Sequence, residues 1–339
     1  MKEGVNLLYE SVVVNLGARC NASCEHCCFS CSPTKKEALD KNEVINLVEN
    51  FSNNPKIKTI SFTGGEIFLN YPFLYSLLKI VNSSGKISTL ISNGFWGREI
   101  ETVKKYFLDM NRMGVTNLSI SHDDFHSKFI KTDYIRNILI ESRKYPDIQI
   151  TVNIAVSKNS TGDKIIHDLG EAILGIPVTK FPLIPVGEAI LGIPVTKFPL
   201  IPVGEAKNIN DDEFQNIYSL SHPNQLKCPG FEPVYHFNGN VYPCCSPAIF
   251  DTALILNDEL YQDFDKTITK MNSNLLLYIM RREGFSWFIN IVSNNNEFSH
   301  IKINKEFSSI CSICRQLFKT ENNIKLLTPY MRKYYEQML

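Results

Sequence analysis

Ten cysteines fall into two groups of five, at 20, 24, 27, 28 and 31 and at 228, 244, 245, 311 and 314. The first group contains Cys20-Asn-Ala-Ser-Cys24-Glu-His26-Cys27, a C-x3-C-x2-C spacing. A cubane iron–sulfur cluster is ordinarily held by four thiolates, so three leave one iron open to bind a small molecule and pass it an electron. Zinc uses similar thiolate spacings and is the plainer alternative. Three ligands suffice here, which leaves Cys28 and Cys31 as small loop residues. In the second group Cys228, Cys244, Cys311 and Cys314 can supply four thiolates, enough to close a cubane or to hold a structural zinc. That count leaves Cys245 over, beside Cys244 in Pro243-Cys244-Cys245-Ser246-Pro247. On the residues alone it is either a swap partner for Cys244 or a packing cysteine.

These thiols do not read as a disulfide framework, which belongs to oxidising compartments. Met1 to Glu10 carries Lys2, Glu3 and Glu10 around short apolar stretches, giving neither a signal peptide nor an anchor. The most apolar stretch, residues 171–204, is broken by Lys180, Glu188, Lys197 and six prolines. No uncharged run there reaches the ~18 residues of a membrane span. A cytoplasmic location is the expectation. Lys+Arg and Asp+Glu each number 35, so no basic surplus draws the chain to nucleic acid or a membrane surface. With 44% hydrophobic and 21% charged residues, disordered and collagen-like classes are excluded.

The elements that must carry the cysteines alternate. Strand candidates Val12–Leu16, Thr59–Phe62, Ile87–Ile91, Asn117–Ile120 and Ile148–Val156 are separated by amphipathic stretches. The clearest has Val44, Leu47, Val48 and Phe51 at helical spacing, with Asp40 as N-cap and Glu43 three residues on. Repeated βα units predict an α/β fold, a partial (β/α)6 TIM-type barrel over residues 1–207. Reactive residues in such a barrel collect after the C-terminal ends of strands. Cys20, Gly64-Gly65-Glu66, Ser92-Asn93-Gly94 and His122-Asp123-Asp124 follow the first four candidates in turn. From about Asn208 the alternation stops. Asn238-Gly239 inside Val234–Tyr242 signals a hairpin, apolar helical segments run through Leu275–Val292, and a Cys-x-x-Cys loop precedes a last helix. Residues 208–339 are therefore expected to form a smaller α+β domain with its own metal.

Residues 171–187, EAILGIPVTKFPLIPVG, recur unchanged as 188–204. Two copies are too few for a solenoid. One barrel position accepts one strand, so the spare copy is expected to loop out or strain the fold. Identical flanks hide which copy supplies the sixth strand.

The Cys20–Cys27 loop, Gly64-Gly65-Glu66 and Ser92-Asn93, at successive strand ends, together resemble the radical S-adenosylmethionine (SAM) superfamily. The resemblance implies a 4Fe–4S cluster on Cys20, Cys24 and Cys27 whose open iron chelates SAM. It implies His26 near the adenine, Gly64, Gly65 and Glu66 toward the methionine amino group, and Ser92 and Asn93 toward its carboxylate or ribose. Cys228, Cys244, Cys311 and Cys314 resemble the ligands of a second, auxiliary 4Fe–4S cluster in a twitch domain. Stretches such as CNASCEHCCFS, SFTGGEIFLN, ISNGFWG, YPCCSPAIF and EFSSICSIC look like the epipeptide epimerases, which install D-residues in ribosomally made peptides. That resemblance implies Hα abstraction from an L-residue such as Val or Ile, with Cys245 returning hydrogen to the opposite face. The thiol must keep its proton, so an apolar setting that raises its pKa is expected. The implied partners are a precursor peptide and an electron donor such as flavodoxin or ferredoxin. Only 19 residues precede Cys20, too few for a winged-helix leader-binding module, so the peptide is expected to use the barrel mouth, the second domain or a partner protein. The alternatives are a radical SAM cross-linking or oxidising enzyme and a non-enzymatic metal sensor or electron carrier.

Overall fold

The computed structural model describes residues 9–174, 196–222 and 226–338. Strand β1 (Ser11–Asn15) contains three successive valines, Val12, Val13 and Val14, all buried. A strand covered on both faces needs such an unbroken apolar run, as in parallel sheets flanked by helices. The chain continues through α1 (Lys41–Asn53), β2 (Thr59–Thr63), α2 (Tyr71–Ser83), β3 (Ile87–Ser92), α3 (Ile100–Arg112), β4 (Val115–Ser121), α4 (Thr132–Ser142), β5 (Gln149–Val156), α5 (Asp163–Leu169) and β6 (Thr196–Pro199). The six strands pair in parallel in chain order. Their C-terminal ends therefore share one mouth, as in the expected α/β partial barrel. Each of the five strand candidates lies within two residues of an observed strand at both ends.

Helix α1 shows how the outer layer attaches. Asp40 caps it by accepting from the amides of Asn42 and Glu43, which satisfies two of its free N-terminal donors. Val44, Leu47, Val48 and Phe51 form its buried stripe. Phe51 is fully enclosed and packs on Tyr235 at 4.9 Å between ring centroids, so truncating it to alanine should cost about 3–5 kcal/mol.

The second copy of the repeat supplies β6, running beside β5 from Asn153↔Thr196 to Val156↔Pro199. The corresponding Thr-Lys-Phe-Pro of the first copy, and with it the expected looping out, lies outside the described residues. At the start of the first copy, Ala172 and Ile173 are buried against the barrel.

Beyond the barrel, β7 (Tyr218–Ser219) comes first. The Asn238-Gly239 turn then joins β8 (Val234–Tyr235) and β9 (Val241–Tyr242), with Gly239 at φ 84°. Strand β8 also lies parallel to β1, through Val13↔Val234 and Val14↔Tyr235, so the hairpin extends the barrel sheet past β1. Helices α6 (Phe264–Ser273), α7 (Leu275–Glu283) and α8 (Phe285–Asn294) follow. The apolar stretch read through Leu275–Val292 is thus two helices. The break falls at Gly284, whose φ of 72° suits glycine and whose Cβ would meet the Leu226 carbonyl oxygen at 2.6 Å. Strand β10 (Glu306–Phe307) pairs antiparallel with β7, and α9 (Ile310–Leu317) and α10 (Glu321–Glu336) end the chain. Cys311 and Cys314 are not on a loop, as their Cys-x-x-Cys spacing suggested. They lie on α9, which Ser309 caps at the Cys311 amide. No helix among the described residues is long and apolar enough to cross a membrane.

Candidate functional site

The loop after β1 folds back on itself. The Ala18 amide donates to the Glu37 carbonyl (2.8 Å) and the Cys20 amide to that of Ser32 (3.1 Å). This gathers Cys20, Cys24, Cys27 and Cys31 with Ala18 and Ala22 into one small cluster at the barrel mouth. Burial pushes the Cys20 thiol up to about 11. Burial, then the nearby Cys27 and Cys20 sulfurs, raises Cys24 as well. Cys27 moves the other way, to about 6, because the Cys31 thiol donates to its sulfur and the Cys31 amide points at it from 3.3 Å. Cys31 therefore supports Cys27 rather than merely filling the loop.

Gly64 and Gly65 press on this loop from β2. A Cβ at Gly65 would lie 2.2 Å from the Arg19 carbonyl oxygen, so no side chain fits there. The Gly65 amide donates to the Gly17 carbonyl at 2.6 Å and the Glu66 amide to that of Arg19 at 2.9 Å. The Glu66 carboxylate is buried and faces the loop after β3. It accepts from the Asn93 amide (2.7 Å), the Ser92 hydroxyl (3.0 Å) and the Phe68 amide (3.0 Å). Burial outweighs these donors and raises its pKa to about 7. Asn93 reaches onward, donating to Asn21 Oδ1 at 2.9 Å with Cys20 Sγ 3.6 Å away. Cys20, Glu66, Ser92 and Asn93, chosen from three separate loops, thus meet in one network. The Ser92 hydroxyl also accepts from the Gly94 amide and Trp96 Nε1, both at 3.0 Å.

His26 stacks on Phe125, with centroids 4.7 Å apart, and its Nε2 lies 3.2 Å from Asp123 Oδ2. Asp123 sits after β4 and also accepts from the Ala155 amide, the Phe125 and His126 amides, and His126 Nδ1. Its burial would favour protonation, but the His126 and His26 contacts hold its carboxyl well below the usual range. Burial lowers the pKa of His126, yet the Asp123 charge and hydrogen bond leave it raised overall. Phe125 and His126 were missed in the sequence. The available signal was an Asp at a strand end followed two and three residues later by amides it could accept, with a His at i+3.

The second cysteine set also converges. Cys228, Cys244, Cys311 and Cys314 line one concavity whose walls are otherwise mostly apolar, including Phe231, Leu277 and Phe285. Burial pushes Cys228 up to about 11 and raises Cys244 and Cys314 further. Cys245 does not line this cavity and is exposed. Even so, protein crowding around its sulfur, and then the Glu232 carboxylate that it meets, raise its pKa to about 11.

Residues 14–166 match the Radical SAM superfamily, and the chain belongs to that superfamily. It is 47% identical over 328 residues to the Bacillus subtilis (strain 168) protein YydG, whose name assigns it to peptide biosynthesis, covering 97% of this chain and 98% of that protein. Among solved structures it is similar to anSMEcpe with bound AdoMet and Cp18Cys peptide, with TM-score 0.50 and 14% identity over 97% of this chain and 99% of that one. Streptococcus suis SuiB gives TM-score 0.49 and 12% identity over 80% of this chain and 67% of its own. Membership of the superfamily implies SAM and a 4Fe–4S cluster. The mouth fits such a group. Three thiols meet there, and the side-chain amide of buried Asn15, the last residue of β1, and Nδ1 of His26, next to Cys27 in the chain, have no hydrogen-bond partner among the described residues.

Proposed function

We propose that this protein is a radical SAM epimerase that converts L-residues, Val or Ile, to D-residues in a ribosomally made precursor peptide. Cys20, Cys24 and Cys27 would hold the 4Fe–4S cluster. Gly64, Gly65, Glu66, Ser92, Asn93 and His26 would frame SAM. When bound, cluster and cofactor supply a carbon radical able to take Hα from the substrate. A peptide substrate is supported by the name of the 47%-identical relative.

One observation carries the stereochemical part. Cys244 and Cys245 are adjacent in the chain but face different surroundings: Cys244 lines the four-thiol cavity and Cys245 is open at the surface with its proton held. A planar Cα that has lost Hα needs a whole hydrogen atom on its other face. A protonated thiol can give one and a thiolate cannot. The Cys245 S–H bond breaks as the new Cα–H bond forms. The sulfur radical left behind needs one electron and one proton, which a flavodoxin or ferredoxin-type donor and solvent would supply. We assign residues 208–339 to the unit that brings this thiol to the barrel, with Cys228, Cys244, Cys311 and Cys314 as ligands of an auxiliary cluster.

The test is anaerobic incubation of the reduced enzyme with SAM and the candidate peptide in D2O, followed by chiral analysis. One deuterium at each D-residue is expected. Cys245→Ala should still form 5′-deoxyadenosine but yield no D-residue. A product two hydrogens lighter would identify a cross-linking enzyme instead, and D-residues from the Cys245→Ala variant would remove Cys245 as the donor.

A further inference from the structure

Beside the cluster loop lies a second set of ligand atoms that the C-x3-C-x2-C motif does not include. Asp123 is at its centre. One of its oxygens is 3.2 Å from His26 Nε2 and the other 2.9 Å from His126 Nδ1. An ionised carboxylate only accepts, so those two nitrogens carry the protons. The remaining nitrogens, Nδ1 of His26 and Nε2 of His126, are then lone-pair donors. His26 Nδ1 is buried without a partner among the described residues, on a side chain that is only 10% exposed. The two rings stand perpendicular with centroids 4.8 Å apart. One ligand atom each from Cys24, His26 and His126 all fall within 4.8 Å of one another.

Metal–nitrogen and metal–sulfur bonds of ~2.0–2.3 Å at tetrahedral angles place ligand atoms roughly 3.5 Å apart, so modest side-chain shifts and ring turns about the Asp123 contacts would bring the two free nitrogens and Cys24 Sγ onto one ion. Imidazoles that bind zinc usually donate their other N–H to a carboxylate, which fixes the tautomer and the ring direction. Here Asp123, itself 1% exposed and anchored by the Ala155, Phe125 and His126 amides, serves both rings.

We propose that Cys24, His26 and His126 form a mononuclear site for a borderline-soft divalent cation such as zinc in the chain before its cluster is built. Cys24 also belongs to the cluster motif, so an ion there and the cluster exclude one another. The site makes cluster loading sensitive to competing metal. It requires no particular substrate.

Full-length protein freed of iron is titrated anaerobically, under reducing conditions, with cobalt(II) alone. Wild type should bind one cobalt more than His126→Ala, and its visible spectrum should contain a nitrogen-plus-thiolate component that the variant lacks. Cobalt retained by the variant is assigned to Cys228, Cys244, Cys311 and Cys314. Asp123→Asn should keep the stoichiometry and weaken the affinity about 10–100-fold. Zinc added before iron and sulfide should slow formation of the first cluster in wild type and leave His126→Ala unaffected. Melting curves separate a lost ligand from a lost fold. His26→Ala, on the loop, carries the same expectation if His126→Ala does not fold. Equal cobalt uptake and identical spectra in wild type and the folded variants would overturn the site. Yields of 5′-deoxyadenosine and D-residue play no part, so this proposal and the epimerase reading fail separately.

Discussion

Gly204 backs directly onto Cys27. A Cβ at Gly204 would fall 2.3 Å from the Cys27 carbonyl oxygen and 2.6 Å from that of Cys28, and the next amide, of Glu205, donates to the Cys27 carbonyl at 2.9 Å. The loop after β6 is therefore the outer wall of the cluster loop, and Gly204 is the last residue of the repeat's second copy. Gly170 offers a control. Its φ of 54° matches the 55° of Gly204, but nothing lies within 4 Å of its Cβ position. Alanine at either site should cost roughly 1–3 kcal/mol of positive-φ strain, and only Gly204→Ala also displaces the loop. Gly170→Ala should melt a few degrees lower with unchanged iron content. Gly204→Ala should lose iron several-fold on anaerobic reconstitution. Equal iron in the two variants would show that the contact does not support the ligands.

Removing either copy of the repeat yields the same chain, because the copies are identical. In it, residues 175–195 between Leu174 and Thr196 are replaced by Gly-Ile-Pro-Val, while Ala172, Ile173, β6 and Gly204 keep their sequence neighbours. Shortening the connection about fivefold should lower the entropic cost of closure by roughly 1.5 kcal/mol. The shortened protein is expected to melt a few degrees higher and to bind as much iron. A lower melting temperature would mean that the extra residues stabilise the fold.

The parts of this molecule legible in its sequence are those set by local pattern. β1 to β5 follow from apolar runs, the α1 cap from Asp40, and the hairpin turn from Asn238-Gly239. Residues at strand ends were legible too, because parallel strands put their C-terminal ends on one side. What escaped depends on contacts between distant segments. The parallel pairing of Val13 and Val234 leaves no mark in either strand. The support that Asp123 gives His26 spans 97 positions. The choice between two identical repeat copies has no local signal at all, and contact of Gly204 with Cys27 distinguishes the second only in three dimensions.

Glu66 should make the metal-free fold lose stability as pH rises. Its carboxyl titrates at about 7 in the folded chain because burial disfavours the charge, against about 4.3 when unfolded. The folded state thus holds a proton that the unfolded state has released between those values. This stabilising contribution is complete below about 4.3 and lost as pH climbs through 7, with a total of up to about 4 kcal/mol. Glu66→Gln cannot titrate. It should be less stable throughout, because its NH2 faces one of the Asn93, Ser92 and Phe68 donors, but its melting temperature should vary less from pH 5 to 7.5. Parallel pH profiles for the two proteins would show that Glu66 titrates normally.

Cys245 combines reach with low reactivity, and that combination is measurable. The residue is exposed, yet protein crowded around its thiol raises the pKa to about 11 and leaves few thiolates near neutrality. Against an ordinary cysteine at about 8.5, the thiolate fraction at pH 8 is roughly two hundredfold smaller, and the thiolate is the species that reacts. Iodoacetamide labelling followed by peptide mapping should find Cys245 slow at pH 8, with a rate that rises about tenfold per unit toward pH 10. Glu232 meets this thiol and helps hold its proton. Glu232→Gln should lower the pKa and speed labelling at pH 8, while burial, the larger cause, keeps the variant slower than free cysteine. Labelling of the wild type at the rate of free cysteine would show a thiol that ionises readily, and Cys245 could not then hold the hydrogen that epimerisation requires.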